Sequence, residues 1–445
     1  MSALLDLQLG TDDAEGLWTD RARLAGMLAF EAALARAEAG VGAIPATAVA
    51  PIAAGCHAEL YDPDDLGRQA VEAGNPAIPL VRMLTLKVAE RDAAAAGYVH
   101  WGATSQDAMD TGLVLQLRRF LEPLEAALQA LRRALAERAC AERDTPMAGR
   151  TWLQQGPPVT FGLKAAGWLD ALQRHQQRLV ELKPRLLTLQ LGGAVGTLAA
   201  LGERAGAVAK TLAADLGLGL PAVPWHALRD RLVEFAAWQG LLLGLLGKLA
   251  RDLSLMMQNE VGEASEGGAA GRGGSSTMAH KRNPLSCAVI LAAAGEAPGL
   301  VAALFAALPQ EHERGLGNWQ VEWQVLPRLC RLTLGAARAA GTLIENLQLD
   351  RRRMRENLAL TQGLVLAEAV TMALGAALGR QKAHALIEGA TRRARAEGVH
   401  LKAMLATLPE VRRVLDDDAL DRLFQPDSYL GEAGRFVDAV LAKER

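Results

Sequence analysis

The sequence predicts an all-α fold: three helical domains with a long helical bundle at the centre. Three observations predict it. Alanine and leucine dominate, β-branched residues are sparse and aromatics make up only 4%, a composition that favours helix over strand. Leu121, Leu124, Leu128, Leu131 and Leu135 step by 3, 4, 3, 4, and Leu242, Leu246, Leu249, Leu253 and Met256 step by 4, 3, 4, 3; both are seams of a bundle or coiled coil. No strand run, Asn-Gly hairpin or internal repeat stands out.

The elements follow in order. At roughly 150 residues per domain, 445 residues suit about three domains. Residues 1–98 read as short helices separated by Pro and Gly. The acidic, base-free start from Met1 to Gly16 is no signal peptide, so a cytoplasmic location is expected. Residues 99–345 hold the long periodic helices, with a kink or break expected at Pro123. Two apolar runs lie there, Phe235 to Gly247 and Leu285 to Gln310. The first is too short to span a membrane. The second carries Gly295, Pro298 and Gly299 mid-run and no aromatic belt. Both read as helices buried on all sides, at the centre of a bundle or an oligomer. Residues 346–445 return to short amphipathic helices, and Arg351, Arg352, Arg353 and Arg355 read as a solvated face.

Composition excludes several functions. Hydrophobic residues make up 50% of the chain, enough for a large core. The 48 basic and 50 acidic residues leave a net charge of −2, which argues against a nucleic-acid partner or a polybasic membrane binder. Cys56, Cys140, Cys287 and Cys330 are scattered and read as buried reduced thiols. No two of the eight histidines lie three to five residues apart, so no helical metal pair is expected. There is neither a P-loop nor a G-x-S-x-G elbow.

Four segments carry candidate chemistry. Residues 261–284 hold six glycines and then Ser275, Ser276, Thr277, His280, Lys281, Arg282 and Asn283. Glycine at that density costs ordering entropy, as in a lid or binding loop. Asn283 reads as an N-cap with Pro284 at the first helical position, and a helix start flanked by Lys281 and Arg282 suits an anion. His100 to Asp107 contains Thr104 and Ser105, which read as a capping region or as donors to a carboxylate. Arg150, Thr151, Trp152, Leu153 and Gln154 form the third segment. The fourth is Glu311 to Arg314, followed by Trp319, Glu322 and Trp323; alone it reads as a surface patch.

Together these segments resemble the fumarase/aspartase superfamily over essentially the whole chain. GSSTMAHKRNP at Gly274 to Pro284 is similar to its signature loop, with Ala279 where proline is usual. GNPAIPLV at Gly74 to Val81, YVHWGATSQDAMDTGLVLQLR at Tyr98 to Arg118 and GRTWLQ at Gly149 to Gln154 carry the likeness further. So do PWHALRDRLVEF at Pro224 to Phe235, PQEHERGLGNW at Pro309 to Trp319 and LTQGLVLAEAV at Leu360 to Val370. The resemblance implies a homotetramer with packed central bundles, each active site built from three subunits. It implies no cofactor and no metal.

The resemblance also implies a reaction. A base, Ser275 or the adjacent Ser276, handles the proton α to a substrate carboxylate. Lys281 and Asn283 hold the charge of the aci-carboxylate dianion. His100, Thr104, Ser105, Thr151, Trp152, Gln154 and Arg314 are the expected substrate-binding residues, and the roles of His280 and His312 stay open. Most lyases of the superfamily carry a histidine after Gly-Arg-Thr to protonate an amine or hydroxide leaving group; here that position is Trp152. A carboxylate, with a conjugate-acid pKa of ~4, departs without a proton. The indole therefore points to the lactone-forming branch, which acts on a small tricarboxylate, rather than to adenylosuccinate-type cleavage or a catalytically silent scaffold.

Overall fold

A computed structural model describes residues 3–13, 16–268, 273–274, 277–278 and 281–444. It is 70% helical, so the all-α expectation holds. The elements used below are α1 (Asp20–Gly40), α2 (Ser105–Ala141), β1 (Pro146–Thr151), β2 (Gln154–Thr160), α3 (Phe161–Leu186) and α4 (Asp230–Met256). They continue with β3 (Ala264–Glu266), α5 (Leu285–Ala306), α6 (Asn318–Glu345), β4 (Leu347–Leu349), α7 (Arg351–Ala359), α8 (Ala367–Leu378) and α9 (Arg380–Glu397). Both leucine seams are buried along their whole length, none of their ten residues exceeding 4% exposure.

The chain divides into two compact units. The first comprises Met1–Ala127, His175–Gly244 and Ala292–Ala337. Its core includes an aromatic chain from Trp18 to Phe120 (5.8 Å), Phe235 (6.4 Å) and Trp238 (5.8 Å). Helices α1 and α2 cross where Gly26 meets Gly112; a Cβ on Gly26 would lie 2.7 Å from the Gly112 carbonyl oxygen. Glycine is the residue that permits so close a crossing.

The second unit comprises Leu128–Arg174, Leu245–Leu291 and Arg338–Arg445. Its C-terminal part packs Val370 and Leu374 of α8 with Ala383 and Ile387 of α9, and with Leu401 and Leu405 beyond. It also contains the two short antiparallel sheets, β1 with β2 and β3 with β4.

Several local expectations are corrected. Strands exist where none was read, because Pro157 and Pro158 and a turn without glycine hide β2 from pattern reading. Helix α2 runs through Pro123 without a break. Helix α4 buries 61% of its apolar stretch but α5 only 22%, so α5 is not buried on all sides within this chain. Both are long and apolar enough to cross a membrane by length and composition alone. The arginine run is solvent-exposed at Arg351, Arg352 and Arg355, as expected, and it is also engaged in ion pairs. Arg351 pairs with the buried Glu142 (2.9 Å to Oε2) and Arg355 with Asp427 (3.0 Å), while Arg353 donates to the carbonyls of Val261 and Glu260. All four cysteines are free, but only Cys287 and Cys330 are buried; Cys140 is exposed.

Candidate active site

In the first unit one carboxylate organises the loop ahead of α2. Asp107 is fully buried. Its Oδ2 accepts the backbone N–H of Thr104 (3.0 Å) and Gly193 (2.9 Å). Its Oδ1 takes the N–H of Gly192 (2.9 Å), the side-chain amide of Gln190 (3.2 Å) and His226 Nε2 (2.7 Å). Asp107 reaching back to the N–H of Thr104 is half of a capping box, so the capping reading of this segment holds in its backbone. The Thr104 hydroxyl has another task.

That hydroxyl accepts from Arg314 Nη2 at 2.6 Å. Arg314 also donates to the carbonyls of Gly193 (3.1 Å) and Ala194 (3.0 Å). Among the described residues these partners are all neutral, so the half-buried guanidinium keeps its full charge for an anion. The Ser105 hydroxyl accepts from Asn75 Nδ2 at 3.3 Å, which ties the Gly74–Val81 segment to the same loop. His100 opens the loop in the left-handed region, φ 58°. Its Nδ1 lies 2.6 Å from Oε1 of Glu31 on α1. Burial lowers the proton affinity of the imidazole, but the Glu31 carboxylate, with Asp107 adding to it, raises the pKa above its ordinary value.

Behind this loop lies a buried ion triad. Arg229 donates to Asp110 (2.6 and 2.9 Å) and to Glu322 (2.9 Å), and Trp319 Nε1 reaches Asp110 at 3.2 Å. Glu322 and Trp319 therefore belong to the interior, not to the surface patch expected of their segment. His312 is exposed, with φ 47°.

The second unit presents a hairpin tip. Pairing of Thr151 with Gln154 leaves Trp152 and Leu153 as a two-residue turn. Both adopt positive φ, 53° and 63°. Such a turn normally takes Asn or Gly, and a bulky residue there costs about 1–2 kcal/mol. Trp152 is nevertheless 96% exposed and Leu153 83%; Thr151 and Gln154 are exposed beside them. Arg150 anchors the rungs below by a bidentate pair with the buried Glu263 (2.6 and 2.9 Å), which also accepts from Asn357 Nδ2 at 2.8 Å. Arg150 is therefore engaged in structure.

The base of the glycine-rich loop closes on itself. The Asn283 backbone N–H and side-chain amide both donate to the Gly273 carbonyl, at 2.8 and 3.0 Å. Gly273 has φ 72°, and a Cβ there would lie 2.6 Å from the Asn283 carbonyl oxygen. Asn283 thus does not cap α5, as its position suggested. Glu266 on β3 does so, accepting from the N–H groups of Ser286 and Cys287, each at 3.1 Å. The anion-binding helix start read from the sequence is already filled by this side chain. Lys281 and Arg282 are exposed at the rim of a cavity of about 560 Å³ that Gln258, Asn259, Glu266 and Asn283 also line. Ser275, Ser276, Ala279 and His280 lie outside the described residues.

Among the expected site residues, Thr104 and Arg314 touch directly, His100 lies on the same loop and Ser105 is the first residue of α2. Among the described residues no hydrogen bond joins Thr151, Trp152 or Gln154 to Lys281 or Asn283. No group of three metal-ligating side chains occurs among them either. Sequence reasoning missed Asp107 as a hub, although its place three residues into the helix is a legible capping signal. It also missed Glu31, Asn75, Glu263 and Glu266, whose partners are distant in sequence. Within the first unit, the Arg314 guanidinium and the His100 imidazole, above its ordinary pKa, suit a carboxylate; within the second, Lys281 and Arg282 are exposed cations at a loop rim.

The chain is similar to known proteins over nearly its whole length. Residues 7–299 match the model of a lyase family, and residues 363–440 match that of the adenylosuccinate lyase C-terminus. The 3-carboxy-cis,cis-muconate cycloisomerase of Pseudomonas aeruginosa is 58% identical over 99% of this chain and 96% of its own. That of Pseudomonas putida is 55% identical over 91% of this chain and 96% of its own. The crystal structure of 3-carboxy-cis,cis-muconate lactonizing enzyme from Pseudomonas putida superposes with a TM-score of 0.94 at 52% identity, covering 99% of each chain.

Proposed function

The chain belongs to the lyase family of the fumarase/aspartase superfamily, and on that premise we propose that it is a cycloisomerase converting 3-carboxy-cis,cis-muconate to 4-carboxymuconolactone. The observation that carries this reading is the indole of Trp152, held out at the hairpin tip, at the position where the resemblance implies that most lyases of the superfamily carry an imidazole. An amine or hydroxide leaves poorly without an acid at that place. A carboxylate does not need one.

In the forward direction a substrate carboxylate oxygen adds across the adjacent double bond and forms the lactone C–O bond. The displaced electron pair moves into the neighbouring carboxylate as an aci-dianion. Ser275 or Ser276 then returns a proton to the α-carbon. Lys281 and Asn283 hold the dianion charge, and no cofactor takes part. Arg314, Thr104, Ser105 and His100 receive the other carboxylates. The unspent charge of Arg314 supports this, because its partners are a hydroxyl and two carbonyls. Thr151, Trp152 and Gln154 close over the flat diene from the hairpin tip.

The same reading makes the working form a cytoplasmic homotetramer with composite sites. Its support is the apolar helix α5, with only 22% of its apolar stretch buried within one chain, together with the exposed Trp152 and Leu153. These surfaces call for cover by further copies.

Purified protein mixed with 3-carboxy-cis,cis-muconate should bleach the ultraviolet absorbance of the diene. Unchanged absorbance alongside turnover of adenylosuccinate would overturn the assignment in favour of an amine-releasing lyase.

A further inference from the structure

We propose that Glu31, on α1, is a positioning residue for the substrate site: its carboxylate fixes the tautomer and the positive charge of His100, so that His100 Nε2–H is the donor offered to a substrate carboxylate. The proposal deepens the function argued above and rests on it.

Two costly features meet at one contact. The Glu31 side chain is 1% exposed, and its Oε2 is buried without a partner among the described residues. A buried carboxylate costs several kcal/mol unless it is paired. Its partner is His100 Nδ1 at 2.6 Å, on a residue whose backbone sits in the strained left-handed region. A buried charge held against a strained backbone is poor design for stability alone; it is what a site needs to present one atom in one direction. With Nδ1 committed to Glu31, Nε2 is the remaining donor. His100 heads the loop that carries Thr104, and Thr104 holds Arg314. Glu31 thus secures one end of that loop as Asp107 secures the other.

The surrounding groups leave the charge on this pair. Glu38, two turns further along α1, has both carboxylate oxygens buried without a partner among the described residues. Burial, helped by the charge of Glu31, pushes its pKa up to about 9, so it stays neutral. The Cys56 thiol is pushed up to about 12 by burial and by Glu31, and Arg36 only partly opposes this. Tyr61 is likewise raised, by burial and then by Cys56. Arg36 itself pairs with Asp215, 3.1 Å from its Nε. Asp107, from α2, adds to the pull on the His100 proton. Glu31 is the partner that keeps the buried imidazole protonated. Without its charge, burial acts unopposed by its strongest counterweight and lowers the pKa.

The test reads His100 directly and then the reaction. In full-length protein with isotope-labelled histidine, the His100 resonance, assigned by its loss in His100→Gln, should titrate above the ordinary value of about 6.5. In Glu31→Gln it should titrate below that value, and in Glu38→Gln it should not move. A wild-type midpoint at or below the ordinary value overturns the proposal, whatever the enzyme turns over. In kinetics, Glu31→Gln should raise KM for the tricarboxylate about tenfold near neutral pH, the worth of one charged hydrogen bond, with kcat little changed. Below the His100 midpoint measured in Glu31→Gln itself, where the imidazole is protonated again, KM should return to the wild-type value. A fall in kcat at constant KM, or a loss that acid does not repair, marks a merely structural role and refutes the idea. If wild-type protein fails to turn over the muconate, the functional reading falls while the titration still decides Glu31.

Discussion

The substitution Glu38→Gln tests the electrostatics of α1 quantitatively. Glu38 is fully buried, and its folded pKa is pushed up to about 9 from an ordinary 4.5. An unfolded chain releases this proton near 4.5, whereas the folded chain keeps it to about 9. The folded state therefore holds the extra proton across that window. Stability is fullest below about pH 4.5 and falls by about 1.4 kcal/mol per pH unit above it. From 4.5 to 7 the interval is about 2.5 units, which gives about 3 kcal/mol. Glutamine has nearly the same shape and cannot ionise, so it escapes this loss. Glu38→Gln should be about 3 kcal/mol more stable than wild type at about pH 7 and indistinguishable from it near pH ~4.5. Urea unfolding at a series of pH values and matched protein concentration measures the difference. A difference that does not grow with pH, or a variant less stable at neutrality, would refute the reasoning.

Other substitutions probe the remaining features. Trp152→His should slow lactone formation, since it removes the flat apolar surface and supplies an acid the reaction does not use; faster turnover than wild type, in a steady-state ultraviolet assay, would contradict the leaving-group argument. Arg150→Met leaves the Glu263 carboxylate buried without its ion partner and should destabilise the fold by about 3–5 kcal/mol, read by denaturant unfolding. Ser275→Ala should abolish turnover while size-exclusion chromatography shows an unchanged assembly; retained activity would transfer proton delivery to Ser276 or His100.

The long-range architecture was legible because it is periodic. The leucine seams of α2 and α4 announce their buried faces by spacing alone, and both are buried throughout. The hairpin was not legible, because its turn uses Trp152 and Leu153 where pattern reading looks for Asn and Gly. Its second strand also carries Pro157 and Pro158, residues that demote a strand in any single-sequence reading. The cap of α5 shows the limit of local rules. Asn283 has the right type and place, yet a carboxylate arriving from β3 takes both N–H groups. Glu31 illustrates the same limit in the site. Its meaning lies in a partner 69 positions away, and nothing in the neighbouring sequence points there.

The left-handed tip of β1 and β2 has a mechanical consequence. A link of two residues has no slack, so the ladder beneath it acts as a ruler that sets how far the indole projects. Glycine at either position would make the bend more comfortable, and at Trp152 it would remove the ring altogether. An added residue would let the ring wander. The discomfort of those two dihedral angles is thus the means by which a thin ribbon delivers a large aromatic plate to a fixed height.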